Sequence, residues 1–499
     1  MNTFRSPVTR AAACFGDGTA FIDHITGQTT TFNELADHID RIGGLLDSLG
    51  VGAGERVAVL AEGSSRYAEL YLAIPATGRV IVPLNTRYQR SELEAACHDC
   101  SPRVLFTDRN DDSAHGLAEV VLPLDGQFDR LVASSNRVHP GPIDEDAIAA
   151  IFYTGGTTDR AKGVCLSHRN KLADAETLII ELELNQADRW LVMSPMFHAA
   201  GSFNVIPCVW QGAVQVFLPR FDAATVLKVI EEHRITITFG VPTMLTALAE
   251  AQRIVAADVS SMRLIGHGGA PVTRTTLAET VAAFPNTEIC VQYGATEMAP
   301  LATVGRHQEK LVGSPAVRSA GRSAVGVEVT IRDEDGVELP RGVTGEIVVT
   351  GPNIMLGYWQ KPAATEAVLS GDSYRSGDLG YMDEEGRVYV VDRRKDMIIT
   401  GGENVYSVEV EDILALHPAI IEAAVIGEPH DLWGEIVVAI VVCRDDISPE
   451  ELDAHCRSQL ASYKIPRRYI LRSEPLPRTP AGKLLKRELR QAEGHAGPV

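Results

Sequence analysis

The chain contains the stretch Tyr153-Thr154-Gly155-Gly156-Thr157-Thr158-Asp159-Arg160-Ala161-Lys162-Gly163, and an apolar strand-like segment, 149–152, leads directly into it. Small residues let backbone N–H groups point at a ligand, threonine hydroxyls add donors, and Lys162 adds a positive charge. This chemistry suits a polyphosphate. The stretch is not a Walker loop, because the spacing GxxxxGK[ST] is absent. Taken alone, it is also compatible with a Gly/Thr surface turn.

Strand-like and helical segments alternate on both sides of this stretch, which is typical of an α/β protein with a mostly parallel sheet. A capping box at Thr31 and Glu34 begins one predicted helix, and Gly50 ends it. From about Ala320 the segments become short strands with glycine turns, as in 345–350, which predicts a small β unit. The other predicted strands are 56–60, 80–82, 104–107, 190–193, 213–217, 235–239 and 288–292.

A polar break at 392–396 precedes roughly a hundred residues that carry α/β signals of their own. Ser448 and Pro449 predict a helix start within them, with Ser as the cap and Pro at the first helical position. We therefore place a domain boundary near Lys395. It divides the chain into a large N-terminal domain, 1–394, and a small C-terminal domain, 395–499.

Composition excludes several classes of function. The chain has 499 residues, with 46 Lys and Arg against 66 Asp and Glu, so its formal charge is −20 and nucleic acid is a poor partner. The longest apolar stretch, 436–443, is far too short for a transmembrane segment, and residues 1–15 lack the apolar region of a secretory signal. Eight scattered cysteines do not form a disulfide framework. We expect a cytoplasmic protein.

A lone CxxC, Cys97 and Cys100, continues a helical pattern that begins at Ser91. No second cysteine pair follows it. We interpret the two cysteines as packing residues, with redox or metal chemistry as the alternative.

Further polar motifs follow the first stretch along the chain. Tyr293 offers a ring to stack on a base, Glu297 offers a hard oxygen ligand for Mg²⁺, and Asp378 can accept both hydroxyls of a ribose. Each motif alone could be an ordinary turn or a solvated charge, but their joint occurrence in this order points to a nucleotide site. The motifs are Gln292-Tyr293-Gly294-Ala295-Thr296-Glu297, Tyr374-Arg375-Ser376-Gly377-Asp378, Asp392-Arg393 with Lys395, and Pro480-Ala481-Gly482-Lys483.

This set of motifs resembles the adenylate-forming enzymes of the acyl-CoA synthetase type, whose members include acyl-CoA and aryl-CoA ligases, luciferases and adenylation domains of peptide synthetases. The resemblance covers nearly the whole chain. It implies ATP, Mg²⁺ and CoA as cofactors and a carboxylic acid as substrate, and it leaves a homodimer open. It also implies that the C-terminal domain is mobile and rotates about Lys395.

The resemblance implies a role for individual residues of the nucleotide site. Asp378 and Arg393 would hold the ribose, and Lys483 would be the adenylation lysine. Thr154 and Glu297 would be metal ligands. The implied ATP and AMP contacts are Thr154, Gly155, Gly156, Thr157, Thr158, Lys162, Gly269, Ala270, Pro271, Gln292, Tyr293, Gly294, Thr296, Glu297, Asp378, Arg393 and Lys483. The implied catalytic set is Lys483, Thr154, Lys162, Glu297 and His198.

The same resemblance implies where the acid and CoA bind. His198 would lie beside the substrate carboxylate, with an ordinary structural histidine as the alternative. The implied acyl-binding residues are His198, Ser202, Phe203, Val241, His267 and Gly268, and the implied CoA-binding residues are Gly401, Gly402, Glu403 and Trp433. Residues 457–490 contain ten basic and two acidic residues, a patch that could meet the CoA phosphates or be a solvated face.

No basic residue is evident among the implied acyl residues, which disfavours a dicarboxylate such as malonate. Some long-chain relatives carry a gating Trp where this chain has Ser202. A medium- to long-chain fatty acid is the first choice of substrate and an aromatic acid the second. An enzyme that loads a carrier protein, a light-emitting oxygenase and a regulatory nucleotide-binding protein are the alternative functions.

The phosphate stretch departs from the family pattern YTSGTTGxPKG at Gly155, Asp159 and Ala161. Asp159 adds a carboxylate where phosphate is expected nearby and replaces a Gly that adopts positive φ freely. We predict that Asp159→Gly lowers the KM for ATP and leaves the preference among acids unchanged. Steady-state kinetics with ATP varied measures this. A higher KM, or loss of folding, would show that Asp159 has a local structural partner.

Overall fold

A computed structural model describes residues 2–110, 112–154, 161–306, 314–444, 447–478 and 484–492. None of the helices in these ranges is long and apolar enough to cross a membrane. The helices are α1 (Arg5–Phe15), α2 (Phe32–Ser48), α3 (Ser65–Ala76), α4 (Arg90–Cys100), α5 (Gly126–Ser134), α6 (His168–Glu181), α7 (Ala199–Ser202), α8 (Val205–Gln211), α9 (Ala223–His233), α10 (Pro242–Val255), α11 (Arg274–Ala283), α12 (Pro362–Glu366), α13 (Ser407–Leu414), α14 (Pro449–Arg457) and α15 (Lys486–Ala492).

The strands of the first two-thirds of the chain are short and mostly apolar. They are β1 (Thr19–Asp23), β2 (Thr29–Thr31), β3 (Arg56–Leu60), β4 (Val80–Pro83), β5 (Val104–Thr107), β6 (Val120–Pro123), β7 (Ile148–Thr154), β8 (Lys162–Ser167), β9 (Arg189–Val192), β10 (Val214–Phe217), β11 (Ile237–Gly240), β12 (Leu264–Gly268), β13 (Glu288–Tyr293), β14 (Thr303–Gly305) and β15 (Arg322–Ser323).

The remaining strands include the longest of the molecule. They are β16 (Glu328–Arg332), β17 (Gly345–Thr350), β18 (Gly357–Tyr358), β19 (Leu369–Ser370), β20 (Ser373–Met382), β21 (Val388–Arg393), β22 (Ile398–Thr400), β23 (Glu403–Val405), β24 (Ile420–His430), β25 (Gly434–Cys443) and β26 (Arg468–Arg472).

Two mostly parallel sheets form the bulk of the molecule, as the alternating pattern predicted. One has the order β18-β8-β7-β4-β3-β5-β6, and the other has the order β15-β14-β13-β12-β11-β9-β10-β1-β2. In the first sheet β4 and β7 pair in parallel, whereas β7 and β8 form an antiparallel hairpin across the phosphate stretch. Helices that cover parallel strands explain why these strands are apolar on both faces.

The predicted β unit is confirmed as a separate antiparallel sheet of β16, β17, β19, β20 and β21. One apolar cluster runs from this sheet through both parallel sheets. The fourth sheet, β22 to β26, is different, because two separate clusters cover it. It mixes antiparallel pairs with one parallel pair, β25 and β26, so this part of the chain is α+β.

The predicted helix caps are confirmed. The Thr31 side chain accepts from the Glu34 N–H, the Glu34 side chain accepts from the Thr31 N–H, and the chain leaves α2 through Gly50 at φ 72°. Ser448 and Glu451 form the same reciprocal arrangement at the start of α14. The observed strand ends differ from the predicted ones by up to two residues, as where the end of a helix takes the hydrogen bonds of the first strand residue. The Ile235 N–H bonds to Ile230 O, so Ile235 still belongs to the end of α9.

The CxxC cysteines pack in the core, as the sequence indicated. Cys97 and Cys100 lie buried on α4, and both are free thiols. Burial raises the pKa of Cys97 to about 12 and that of Cys100 to about 11. Thiols held in the protonated state are poor nucleophiles and poor metal ligands.

Candidate active site

The carboxyl ends of β12 and β13 form one edge of the candidate site. The two strands run in parallel with Gly268 opposite Gln292. A Cβ on Gly268 would lie 2.3 Å from the Gln292 carbonyl oxygen, so only glycine permits this close approach. Residues that leave the two strands therefore emerge side by side. These are Gly269, Ala270 and Pro271 after β12, and Tyr293 and Gly294 at the end of β13, all of them predicted nucleotide contacts.

The predicted ribose residues meet across two sheets. The Tyr293 hydroxyl donates to Asp378 Oδ2 at 2.8 Å, and Arg393 Nε lies 3.5 Å from Asp378 Oδ1. Asp378 and Arg393 are also register partners on β20 and β21. Burial raises the pKa of Tyr293, and the charge of Asp378 raises it further. The phenol therefore stays protonated and fixes the carboxylate that is predicted to accept the ribose hydroxyls.

Glu297 and Lys162 lie on opposite sides of Tyr358. The Tyr358 hydroxyl donates to Glu297 Oε1 at 2.9 Å, and Lys162 Nζ lies 4.9 Å from the centre of the Tyr358 ring. Pairing of β18 with β8 places the tyrosine there, with Tyr358 opposite Val164. Burial raises the pKa of Tyr358, and Glu297 raises it further. The Tyr358 side chain therefore lies between the Glu297 carboxylate and the Lys162 ammonium.

The donor set fits the predicted magnesium ion. Glu297 offers a carboxylate and Thr154 a hydroxyl, the hard oxygen ligands that Mg²⁺ prefers beside substrate phosphates. Thr154 is the last residue of β7, opposite Lys162 of β8. The short helical turn Thr296–Met298 packs against β8 and so brings Glu297 towards the phosphate stretch. The predicted contacts Gly155, Gly156, Thr157 and Thr158, as well as Asp159 and Lys483, lie outside the described residues.

Helix α6 supports the segment that follows Glu297. Lys171 and Asp174 are each 1% exposed, with Lys171 Nζ 4.0 Å from Asp174 Oδ2. Lys171 Nζ donates to the Ala299 carbonyl at 2.7 Å, and Asp174 Oδ1 accepts from the Leu301 N–H at 3.1 Å. Burial raises the pKa of Asp174 to about 7, against the opposing charge of Lys171. A buried pair of charges therefore holds two backbone groups of this segment.

Asn353 supports the same segment from the loop before β18. Its side-chain amide donates to the carbonyls of Met298 and Leu301, both at 2.8 Å. The Met355 N–H donates to the Glu297 carbonyl at 2.9 Å. The backbone carbonyls of Glu297, Met298 and Leu301 thus have partners from the loop before β18, which hold the backbone that carries the Glu297 side chain.

The predicted acyl residues follow β9. His198 caps the short helix α7, and its carbonyl accepts from the Ser202 hydroxyl at 3.3 Å. Ser202 is fully buried, and the Phe203 ring packs edge-on against the rings of Trp190 and Phe239. Ser202 and Phe203 therefore help to shape this region from within the core.

The other predicted acyl residues lie at the ends of neighbouring strands. His267 is fully buried on β12, opposite Gly240 of β11. Val241 follows β11 directly and precedes α10. A Cβ on Gly240 would touch Met193 and Met244, so flexible apolar side chains border this position. The surroundings of the predicted acyl site are uncharged at these residues.

Two of the predicted CoA residues meet in the fourth sheet. The Gly401 N–H donates to the Trp433 carbonyl at 2.8 Å, and Gly401 has φ 61°. A Cβ on Gly401 would lie 2.9 Å from the Trp433 ring. The Arg467 guanidinium lies 4.7 Å from the centre of that ring. Gly402 follows at φ 84°, and Glu403 begins the exposed edge strand β23.

Contacts on both sides of Lys395 join this part of the chain to helices α13 and α15. Asp392 Oδ2 accepts from both the N–H and the hydroxyl of Ser407, and Arg490 Nη2 lies 3.1 Å from Asp396 Oδ1. Burial raises the pKa of Asp392, while the charge of Lys486 opposes the shift. The backbone between these anchors is the place where the sequence predicts a hinge.

Many charges of the basic stretch 457–490 have acidic partners. The pairs in the described part of the chain are Lys464 with Glu409 at 2.7 Å, Lys486 with Glu411 at 2.7 Å, Arg468 with Glu428 at 2.9 Å, Arg490 with Asp396 at 3.1 Å, Arg478 with Glu422 at 3.4 Å, and Arg457 with Asp453 on the same helix. The cationic surface left for CoA phosphates is therefore smaller than the composition of the stretch indicated.

Sequence reasoning missed residues that contact the predicted ones. Tyr358 follows Gly357 in an apolar run that contains no recognisable motif. Lys171 and Asp174 have the sequence pattern of ordinary charged residues on a helix surface. Glu346 was also missed, although its carboxylate accepts from Arg375 and from the Gly377 N–H just before Asp378. The spacing of Lys171 and Asp174 on α6 was the one available signal, since it places both on the same helix face.

Comparison with known proteins gives matches along nearly the whole chain. A family model described as AMP-binding enzyme matches residues 8–359, and a model of the AMP-binding enzyme C-terminal domain matches residues 409–483. A feruloyl-CoA synthase from Amycolatopsis sp. is 38% identical over 476 residues, which cover 94% of this chain and 95% of that protein. The long-chain-fatty-acid–CoA ligase FadD13 from Mycobacterium tuberculosis is 32% identical over 489 residues, with 95% of each chain covered.

Solved structures match this chain over a similar share of its length. The O-succinylbenzoate coenzyme A synthetase MenE from Bacillus subtilis, in complex with ATP and magnesium ion, superposes with a TM-score of 0.88 at 30% identity. The match covers 98% of this chain and 99% of that chain. It agrees with the magnesium-compatible oxygen donors described above.

The buried pair on α6 gives a prediction. Asp174→Asn removes the charge that faces Lys171, and an uncompensated buried charge costs about 3–5 kcal/mol. We expect a lower free energy of unfolding and a higher Mg²⁺ requirement for adenylation, since the segment behind Glu297 loosens. The double variant Lys171→Met/Asp174→Leu removes both charges and should recover only part of the lost stability and none of the Mg²⁺ affinity, because the contacts to the Ala299 carbonyl and the Leu301 N–H are lost.

Denaturant unfolding and Mg²⁺ titration of adenylation measure these two properties separately. A matched control is the surface pair Arg253 and Glu279, 3.0 Å apart, whose removal as Arg253→Met/Glu279→Leu should change neither property. If the α6 double variant recovers both stability and the wild-type Mg²⁺ dependence, the pair does not position Glu297.

Proposed function

The chain belongs to the AMP-binding enzyme family as an AMP-forming acid–thiol ligase, and we propose that it converts a medium- to long-chain fatty acid to its CoA thioester. The observation that carries the proposal is the grouping of Glu297, Tyr358 and Lys162 next to the Tyr293–Asp378 pair. This grouping supplies a metal ligand and a cation beside a place for a nucleoside.

The first half-reaction makes acyl-AMP. The substrate carboxylate, ionised at pH 7, attacks the α-phosphorus of ATP, the bond to the β-phosphate oxygen breaks, and pyrophosphate leaves with the electron pair. Lys162 and Lys483 offset the negative charge that spreads over the phosphoryl oxygens. Mg²⁺ held by Glu297 and Thr154 would supply further charge neutralisation. A general base is not required, because no proton has to be removed from the acid.

The second half-reaction transfers the acyl group from AMP to the thiol of CoA. The thiol sulfur attacks the acyl carbonyl, AMP departs, and the thiol proton is released. Pyrophosphate exit and thiol entry compete for the same small space, so we propose that the C-terminal domain, 395–499, rotates about Lys395 between the two steps. Rotation withdraws Lys483 and presents Gly401 and Trp433 to the pantetheine arm of CoA.

The preference for a fatty acid rests on the residues around the predicted acyl site. Phe203, Val241 and the neighbouring Met193 and Met244 offer apolar contacts, and none of the predicted acyl residues carries a fixed charge that would attract a second carboxylate. We propose that His198 contacts the single carboxylate, as the sequence predicts. The similarity to a long-chain-fatty-acid–CoA ligase supports the same choice.

An aromatic acid is the second candidate. The relative of 38% identity is a feruloyl-CoA synthase, and His267 is a buried polar side chain among the predicted acyl residues. An imidazole can donate or accept a hydrogen bond, so it suits a hydroxyl on a substrate ring better than an aliphatic chain.

A panel of acids tests both candidates. Saturated acids of increasing chain length and hydroxylated cinnamic acids are each incubated with ATP, Mg²⁺ and CoA, and AMP and thioester are measured separately. The proposal predicts the highest kcat/KM for a medium- or long-chain fatty acid. A higher value for the cinnamic acids would replace the fatty acid by the aromatic acid. AMP release with thioester only on a holo carrier protein would replace CoA as the acceptor.

The hinge gives a prediction of its own. Proline at position 395 fixes φ near about −65° and removes the N–H, so Lys395→Pro should hold the C-terminal domain near one orientation. We expect acid-dependent pyrophosphate exchange to persist while overall thioester synthesis collapses. Both half-reactions are measured on one preparation, with circular dichroism to check folding.

Lys395→Ala is the matched control, since it removes the same ammonium without restricting φ and should retain both half-reactions. Equal loss of both half-reactions in a folded Lys395→Pro protein would place the hinge elsewhere. Full retention of both would show that rotation about this residue is not required.

A further inference from the structure

Two histidines and a glutamate converge between the end of β1 and the end of α9, and none of them is among the residues predicted to bind nucleotide, acid or CoA. His24 Nδ1 lies 3.2 Å from His233 Nε2, and His233 Nε2 lies 3.6 Å from Glu232 Oε1. The three ligand atoms all lie within 4.8 Å of one another. The reaction derived above does not use these three side chains.

The spacing suits one bound metal ion. A tetrahedral site with metal–ligand distances of about 2.0–2.2 Å has ligand atoms roughly 3.3–3.6 Å apart. The two separations involving His233 are close to this range. An ion would therefore need only small side-chain movements to reach both imidazoles and the carboxylate.

The backbone on both sides of the site is held in place. The His24 N–H donates to the Phe217 carbonyl at 3.2 Å, and Asp23 Oδ1 accepts from the Thr26 N–H at 2.9 Å, which closes the turn that carries His24. The His233 carbonyl accepts from Arg189 Nε at the end of α9. Ligands on fixed backbone lose little entropy when they bind an ion.

The charge around the site selects the kind of ion. The Arg189 guanidinium lies beside the site, where its Nε donates to the His233 carbonyl. The positive charge of Arg189 disfavours a cation that would be held mainly by electrostatic attraction. Two imidazoles and one carboxylate suit zinc and related first-row ions rather than Mg²⁺ or Ca²⁺.

The site is accessible to an ion from solvent, and it leaves one coordination position open. The His233 side chain is 16% exposed, whereas that of Glu232 is 62% exposed, so an ion can enter from the Glu232 side. With three protein ligands, water can take the fourth position. We propose that His24, Glu232 and His233 form a binding site for Zn²⁺ or a similar first-row divalent ion that joins the β1 turn to the end of α9.

Zinc titration of the full-length, tag-free protein tests this proposal. The protein is stripped with a chelator and titrated with zinc chloride in competition with a chromogenic zinc chelator. We expect one equivalent bound, a melting temperature that rises with zinc, and affinity at least about tenfold weaker in His24→Gln and in His233→Gln. His98→Gln, which alters an exposed histidine on α4, is the matched control and should bind like the wild type.

Cobalt substitution adds a readout of geometry. Co²⁺ bound by the wild type should show the intense visible absorption of four-coordinate cobalt, and His24→Gln should lose it while retaining the wild-type circular dichroism spectrum. Failure of the wild type to bind zinc saturably would overturn the proposal. Equal zinc affinity in His24→Gln and His98→Gln would do the same, and would leave the two histidines as a hydrogen-bonded pair.

Discussion

The candidate site depends on the buried contacts made by the backbone segment that contains Glu297. The segment from Thr296 to Leu301 leaves the parallel sheet, and Met298, Ala299 and Leu301 within it are buried. Lys171 and Asp174 on α6 and Asn353 before β18 provide the missing partners. Leaving such groups unpaired would cost about 1–3 kcal/mol each. The backbone next to Glu297 is therefore held by contacts from α6 and from the loop before β18.

Two tyrosines extend this arrangement to neighbouring sheets. Tyr358 on β18 bonds to Glu297 and faces Lys162, and Tyr293 on β13 bonds to Asp378 on β20. The first contact ties the glutamate to β18, which pairs with β8 after the phosphate stretch, and the second ties the parallel sheet to the antiparallel one. The carboxylates assigned to the metal and the ribose thus come from different sheets but are fixed by phenols that remain protonated.

Much of the fold could be predicted from the sequence, because short apolar runs, capping boxes and glycine stops act locally. Strand 56–60 and the caps at Thr31 and Ser448 are examples. The motif positions were likewise visible, since nucleotide chemistry restricts residue types. Tyr358 and the Lys171–Asp174 pair were not visible, because their roles depend on partners more than 60 and more than 120 residues away. The basic stretch 457–490 was overestimated for the same reason, as most of its acidic partners lie on other elements.

The central claim is that Glu297, whose backbone segment is held by buried contacts, offers a metal ligand to the triphosphate. The most direct measurement is the Mg²⁺ dependence of acid-driven pyrophosphate exchange, without CoA, in the wild type and in Glu297→Gln. The amide keeps the shape of the side chain and weakens the metal site. The account predicts a sharp loss of exchange at low Mg²⁺ with partial recovery at high Mg²⁺. An unchanged Mg²⁺ dependence in Glu297→Gln would contradict it.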